Sequence, residues 1–552
     1  MAWHRVTSTR YSSTLFVLFL ALCIRSCHGL GSTFGFDIHH RFSDVVTGIL
    51  GVEGLPEKGS LEYYVAMAHR DHFMRGRFLA ATNNQSPPLA FSGGNETYFF
   101  PSLGHLYYAS VSVGTPSSSF LVALDTGSDL FWLPCNCHKG GCKTSLELPT
   151  GTIYSPNFEE PVKDPQREVV EFEIRYCRQV LKFNTYSPES STTSQMLPCS
   201  SPLCTTQCHS VSNACAYQVE YASANTSSGG VLVADVLHLV TDDGQSKAVD
   251  PQIILGCGEV QTGLFLGVGA PNGLFGLGMG NISVPSILAA EEFPNAFVMC
   301  FAHDGPGRIS FGNNGSSGQG ETPFDLGEPS PSYYHISMTQ INVGSNSSVL
   351  GVSAIFDTGA SFTSLSDPAY TFISESFNSQ VEEKRLSSNS RIPFEYCYVL
   401  SANQTTIYVP DTNLTMESGA VYSVSNPTVV ISVQGHGDIY CLAIFRSQDI
   451  NVIGQNFMTN YNLVFDRDRM VLGWTWTDNC YTPPASSPSK SPAVPPPPPA
   501  VSPQTPTGSG NKSHTVPLAS TPPPPPNDSP KLKPVTCALI IIILLLSFSA
   551  IV

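Results

Sequence analysis

Two aspartates stand where chemistry could be done. Phe120-Leu-Val-Ala-Leu-Asp125-Thr126-Gly127-Ser128 and Val352-Ser-Ala-Ile-Phe-Asp357-Thr358-Gly359-Ala360 share one design. Each is a short apolar run of strand character that stops at an acid, a hydroxyl and a glycine. One Asp-Thr-Gly is an ordinary way to close a strand. Two copies in the same local context, one in each half of a long chain, point to two carboxylates brought face to face. Carboxylates a few ångströms apart do not both ionise easily, so they share a proton and their apparent pKa values split. One oxygen can then take a proton from water while the protonated partner donates to a carbonyl oxygen. Such hydrolysis needs no metal and no organic cofactor. Glycine after the acid lets backbone amides approach the carboxylate. The threonine hydroxyls can tie the two loops together.

The first motif continues as Ser128-Asp129-Leu130-Phe131-Trp132. Downstream lie Val219-Glu220-Tyr221, the turn Ser227-Ser228-Gly229-Gly230, and two apolar-glycine elements, Gly273-Leu-Phe-Gly276-Leu-Gly278 and Asn451-Val-Ile-Gly454-Gln455. In this order the motifs resemble those of the pepsin-like aspartic proteases, over Leu106 to Cys480. The cysteine-rich insert between Cys142 and Cys215 is similar to that of the plant nepenthesin-like branch, including its glycosylphosphatidylinositol-anchored members. The resemblance implies an all-β, bilobal fold with few short helices. Asp125 and Asp357 are then the catalytic pair, and Thr126, Gly127, Thr358 and Gly359 line the substrate. Tyr221 is the flap tyrosine, Trp132 its hydrogen-bonding partner, and the two apolar-glycine elements brace the acid loops. The implied substrates are peptides or proteins, cut by a monomer.

The elements that must position these groups read as strands. Leu106-Tyr-Tyr-Ala-Ser-Val-Ser-Val leads into the turn Gly114-Thr-Pro116, and short strands punctuated by Gly and Pro continue to residue 480. Helices are expected only locally, over Gly59 to Ala80 and Asp367 to Ser379. A chain of 552 residues with 41% apolar content suits two lobes plus extensions. Its net charge of −16 argues against nucleic acid as a partner.

The expected organisation has six parts. Residues 1–29 read as a secretory signal, with Arg5 and Arg10 before the apolar run from Leu15. Residues 30–97 carry His39, His40, His69 and His72, with Arg70, Arg75 and Arg77 on the helix expected over Gly59 to Ala80. It reads as a solvated basic helix or a metal-ligating one, and by resemblance as an inhibitory prosegment whose basic groups neutralise the acidic cleft and whose fit changes when histidines protonate. Asn84 and Asn95 head glycosylation sequons there. Residues 98–300 hold the lobe with Asp125, and residues 301–480 the lobe with Asp357. Residues 481–534 form a Pro/Ser-rich stalk that cannot bury a core. Residues 535–552 are apolar with no basic stop sequence after them. They read as a lipid-anchor signal, with attachment at Asn527-Asp528-Ser529, or as a transmembrane helix.

Secretion makes disulfides the default state of the cysteines. Of 16 cysteines, Cys23, Cys27 and Cys537 fall in the two terminal signals. Among the remaining thirteen, Cys177 is the odd one. By resemblance the other twelve pair as Cys142–Cys257, Cys199–Cys215, Cys204–Cys208, Cys300–Cys480, Cys397–Cys441 and Cys135–Cys137. A zinc site at Cys135, Cys137, His138 and Cys142 is the alternative for that cluster. The charged stretch from Glu159 to Asn184, flanked by two Tyr-Ser-Pro copies, departs from the family pattern. It is either an added surface loop or retained intron sequence.

Two other classes of function fit parts of the chain. A non-catalytic binding or inhibitor protein of the cell surface could share the fold, because a fold does not dictate function. A structural cell-wall protein would explain the stalk but not the doubled acids.

Overall fold

The computed structural model describes residues 33–50, 56–80, 106–150 and 177–480, apart from short internal stretches, together with 514–517. The expected signal peptide, both sequons at Asn84 and Asn95, His138, the anchor segment and residues 151–176 of the charged insert lie outside the described residues. So does all of the stalk except 514–517.

The chain starts with strand β1 (Phe34–His40), a short helix α1 (Asp44–Leu50) and the longer helix α2 (Leu61–Ala80). Strands β2 (Tyr107–Val113), β3 (Ser118–Asp125) and β4 (Trp132–Pro134) follow. After the insert come β5 (Ala214–Tyr221), β6 (Thr226–Thr241), β7 (Gln252–Gln261) and β8 (Leu274–Gly276). Helix α3 (Val284–Ala290) leads into β9 (Ala296–Cys300) and β10 (Gly307–Phe311). The second half contains β11 (His335–Val343), β12 (Asn346–Phe356), β13 (Thr363–Leu365) and helix α4 (Ala369–Asn378). It ends with β14 (Ile444–Arg446), β15 (Val452–Ile453), β16 (Tyr461–Asp466) and β17 (Val471–Trp476).

One large sheet runs in the strand order β17-β16-β9-β10-β1-β2-β3-β8-β4-β7-β6-β5. A second sheet contains β11-β12-β15-β13-β14. This is the all-β, bilobal pepsin-like architecture, with one sheet system for each acid motif. Strand β3 is buried on both faces from Phe120 to Asp125, which is why it reads as an unbroken apolar run. Behind the sheets the core is aromatic. Phe297 stacks on Phe465 at 4.7 Å, and Tyr334 meets Phe465 edge-on at 4.7 Å. Each such ring removed from water stabilises the fold by about 1.5–3 kcal/mol.

The two halves repeat one local device. Strand β8 lies parallel to β3, with Gly276 opposite Asp125, and antiparallel to β4. Strand β15 lies parallel to β12, with Ile453 opposite Phe356, and antiparallel to β13. The glycine after each apolar pair is required by space. A Cβ on Gly276 would stand 2.2 Å from the Asp129 carbonyl oxygen, and one on Gly454 would stand 2.5 Å from the Phe362 carbonyl carbon. No side chain fits such gaps, so the acid loops can pack directly on these elements.

The disulfides correct the expected pairing. Cys300–Cys480 and Cys397–Cys441 form as expected. The other four are Cys135–Cys257, Cys137–Cys142, Cys199–Cys208 and Cys204–Cys215. Strand register decides the first. β4 runs parallel to β7 with Leu133 opposite Cys257, and the Cys135 amide donates to the Gly258 carbonyl at 2.9 Å. Cys135 is thereby delivered to Cys257, with Cα atoms 5.0 Å apart, and Cys137 is left to close on Cys142. The turn in which the Cys204 amide bonds the Ser201 carbonyl at 2.9 Å brings Cys204 to Cys215, which leaves Cys199 for Cys208. Cys135, Cys137 and Cys142 are therefore all taken, and no thiolate among them remains for zinc. The backbone of Cys177 pairs with Thr150.

Candidate active site

Asp125 sits at the end of β3 and is buried at 3% exposure. Its Oδ1 accepts the Gly127 amide at 3.0 Å and its Oδ2 accepts the Ser128 hydroxyl at 2.7 Å. Asp357 follows β12, and its Oδ1 accepts the Gly359 amide at 2.8 Å. The two loops are matched at the backbone. The Gly278 amide donates to the Ser128 carbonyl at 2.9 Å, and the Gln455 amide donates to the Ala360 carbonyl at 2.8 Å. The hydroxyls of Thr126 and Thr358 meet at 3.3 Å across the two halves, both buried. The expected tie between the loops is therefore present, and the two acids are presented by rigid strand ends.

Tyr221 ends β5, and its hydroxyl accepts the Trp132 Nε1–H at 2.8 Å. Phe265 meets both rings edge-on, at 4.8 Å for Trp132 and 5.1 Å for Tyr221. A buried indole N–H needs such a partner. Trp132, itself fully buried, thus fixes the ring position of the hairpin β5–β6 beside the first acid loop.

Sequence reasoning did not single out the contact that helix α2 makes. Arg70 and Asp71, both buried, reach the second Asp-Thr-Gly loop. Arg70 Nη1 donates to the Gly359 carbonyl at 2.5 Å and to Asp71 Oδ1 at 2.8 Å. Asp71 Oδ1 accepts the Ser361 amide at 3.0 Å and hydroxyl at 2.7 Å, and Oδ2 accepts the Phe362 amide at 2.8 Å. Tyr64, about two turns earlier on the same face of α2, packs against Phe362 and Phe394. The backbone groups that follow Asp357 are thus already engaged.

Charge is concentrated at this contact. His40 is ringed by Phe42, Tyr63 and Tyr107. Burial first, then the nearby Arg41, Arg70 and Lys58, pushes its pKa down to about 3. Arg41 is pushed down to about 10, by burial and then by Arg70. His39 is also lowered, by burial, against the pull of Asp37. Among the described residues, no group of three or more His, Cys, Asp or Glu side chains is placed to hold a metal ion. The side chains of His69, His72, Arg75 and Arg77 lie outside the described residues. Near the first loop, burial raises the Asp129 pKa, and Asp125 adds to it, while the Gly280 amide and Arg467 oppose.

Two strand-borne acids joined through their threonines, beside a Trp-Tyr hairpin and braced by paired glycine elements, define the site of a pepsin-like protein. Comparison with known sequences places the chain more closely. It belongs to the aspartyl protease family. It is 48% identical over 486 residues to aspartyl protease family protein 1 of Arabidopsis thaliana, covering 87% of this chain and 88% of that one. It is 36% identical over 502 residues to aspartic proteinase-like protein 1 of the same plant, covering 87% and 88%. To aspartic proteinase nepenthesin-2 of Nepenthes gracilis it is 25% identical over 412 residues, covering 70% and 81%. The family models that match are described as xylanase inhibitor N-terminal, over residues 107–313, and xylanase inhibitor C-terminal, over residues 333–475.

Proposed function

We propose that this protein is an aspartic endopeptidase made as a self-covered precursor. Asp125 and Asp357 hold one water between them. The ionised acid takes a proton from that water, and the protonated acid polarises the scissile carbonyl. Thr126, Gly127, Thr358 and Gly359 present the two carboxyls. Tyr221, held by Trp132, closes over an extended peptide. The observation that carries the reading is the pair of intact Asp-Thr-Gly loops joined by the Thr126–Thr358 contact. Residues 30–97 act as the prosegment, and the seating of Arg70 and Asp71 on residues 359–362 supports that role.

The same reading makes the protein a secreted one, with residues 1–29 removed and residues 481–534 serving as a stalk. The apolar stretch 535–552 behind small residues at 527–529 supports a lipid anchor on the outer membrane face. Phosphatidylinositol-specific phospholipase should release the protein from intact cells. Protein that stays on the membrane and retains Val552 excludes the anchor.

Hydrolysis is tested with Asp125→Asn and Asp357→Asn, each assayed on a denatured protein substrate at acid pH. Both variants should be secreted normally and lose all turnover, because one shared proton needs both acids. A binding or inhibitor protein is the second reading, favoured only by the description of the matching family models. A parent protein that cuts nothing but binds a glycoside hydrolase would support it.

A further inference from the structure

The Met279–Gly280 peptide bond is held at both ends by opposite charges. Its N–H donates to Asp129 Oδ1 at 2.7 Å. Its carbonyl accepts from Arg467 Nη2 at 2.8 Å. Arg467, buried in the turn between β16 and β17, also donates to Ser286 Oγ at 2.7 Å and Ser283 Oγ at 3.2 Å. The same stretch continues onto the first acid loop. The Leu277 amide donates to the Asp125 carbonyl at 2.9 Å and the Gly278 amide to the Ser128 carbonyl at 2.9 Å. The Leu277 carbonyl accepts the Tyr334 hydroxyl at 2.6 Å. Glycine is needed on both sides of the carboxylate. A Cβ on Gly278 would come within 2.4 Å of Asp129 Oδ1, and one on Gly280 within 2.4 Å of Oδ2. Asp129 is thus gripped by a backbone shaped around it, four residues after Asp125.

We infer that Asp129 is a positioning residue that sets the pH at which the Asp125–Asp357 pair ionises, and that the Met279–Gly280 peptide and Arg467 hold it there. The inference rests on the endopeptidase reading. Among the described residues, the charged and titratable groups that face Asp129 are Asp125 from its own loop, Arg467, and the Tyr334 phenol. A carboxylate beside the pair makes the pair harder to ionise, because like charges repel. Arg467 works the other way, through the polarised peptide and through its own charge. Burial raises the Asp129 pKa, and the Gly280 amide and Arg467 oppose that rise.

The test is the acid limb of the pH–rate profile of the acid-activated full chain. Asp129→Asn keeps an oxygen for the Gly280 amide and removes the charge. Its acid limb should move to lower pH by about half to one unit, with plateau turnover within a few-fold of the parent. Arg467→Gln should move the limb the opposite way. In the double variant the Arg467→Gln shift should shrink, because it acts in part through Asp129. Unmoved limbs in folded variants overturn the inference and leave Asp129 a structural loop anchor. If Asp129→Asn does not fold, Arg467→Gln decides alone by the sign of its shift. A parent without turnover, or an Asp125→Asn variant that keeps it, sinks the endopeptidase reading instead. In that case carboxyl-carbon NMR titration of Asp125 reads the same shifts without turnover, and an Asp125 titration unchanged by Asp129→Asn overturns the inference.

Discussion

Asp71 lies on Ser361, taking its amide at 3.0 Å and its hydroxyl at 2.7 Å, although 290 residues separate them. A buried carboxylate with several donors is worth more than neutral hydrogen bonds, each such bond contributing about 1.5–3 kcal/mol. Asp71→Ala should therefore loosen α2 from the second acid loop. The uncleaved chain should gain about ten- to a hundred-fold in peptide hydrolysis at pH 6, measured with a short quenched-fluorescence substrate. Gels must show that residues 33–80 remain attached. An intact variant as silent as the parent would mean that α2 does not cover the site.

His40 supplies the pH dependence of that cover. Its pKa in the docked state is pushed down to about 3, against an ordinary value of 6.5, by burial first and then by three cations. The loosened segment binds a proton more readily than the docked one. Docking is therefore fully supported above pH 6.5 and weakens as pH falls from 6.5 toward 3. Replacing the ring by one that cannot charge, His40→Phe, should move the acid-triggered loosening of α2 to lower pH. Hydrogen exchange over residues 61–80, followed between pH 6.5 and 3, reads the shift. An unchanged midpoint would assign the trigger elsewhere.

The two acids differ in one hydroxyl. Ser128 donates to Asp125 at 2.7 Å, whereas the matching residue on the other loop, Ala360, carries only a methyl. A hydrogen bond to the charged form favours ionisation. Ala360→Thr should move the acid limb of the pH–rate profile to lower pH. One charge-assisted bond bounds the shift at about one to two units, at roughly 1.4 kcal/mol per unit. A limb that stays put, in a variant that still binds a peptidomimetic inhibitor, removes Ala360 from the account.

Tyr221→Phe removes the acceptor of the Trp132 indole N–H. An unpaired buried donor costs about 1–3 kcal/mol. If the hairpin β5–β6 closes over substrate, kcat/KM should fall by about five- to a hundred-fold, and Trp fluorescence should change. An unchanged kcat/KM would leave the Trp132–Tyr221 pair a purely structural contact.

What was legible in the sequence was what is written locally. Each copy of the acid motif and each apolar-glycine brace lies within one strand or turn, whereas Trp132 and Tyr221, on β4 and β5, were paired by the resemblance, and a 2.8 Å hydrogen bond joins them. Helix α2 starts at Leu61 rather than Gly59, and α4 spans Ala369–Asn378 rather than Asp367 to Ser379. Four of the six disulfide pairings were not legible; Cys135, for one, finds Cys257 only through the parallel register of β4 and β7. The role of Arg70 and Asp71 was hidden for the same kind of reason. On a basic helix Arg70 reads as a solvated charge or, by resemblance, as a group facing an acidic cleft, and only the fold shows that it and Asp71 land on Gly359 and Ser361. Asp129 was visible within the motif, but nothing local marks Arg467 as the group behind the peptide it holds.

The first strand carries a separate consequence. Residues Phe34 to Ile38 pair with Phe311 to Gly307, and His39 and His40 pair with Tyr108 and Tyr107, so β1 is an interior strand of the large sheet. Cutting the chain between residues 81 and 105 would break a covalent link and leave the pairing of Phe34 to His40 in place. The expected immediate product is a nicked two-chain molecule, with the small fragment still woven through the large one. Cleavage and liberation are then distinct events with distinct clocks. The second must unzip a strand from between two neighbours, so the fragment should outlast its own excision as a slowly departing subunit.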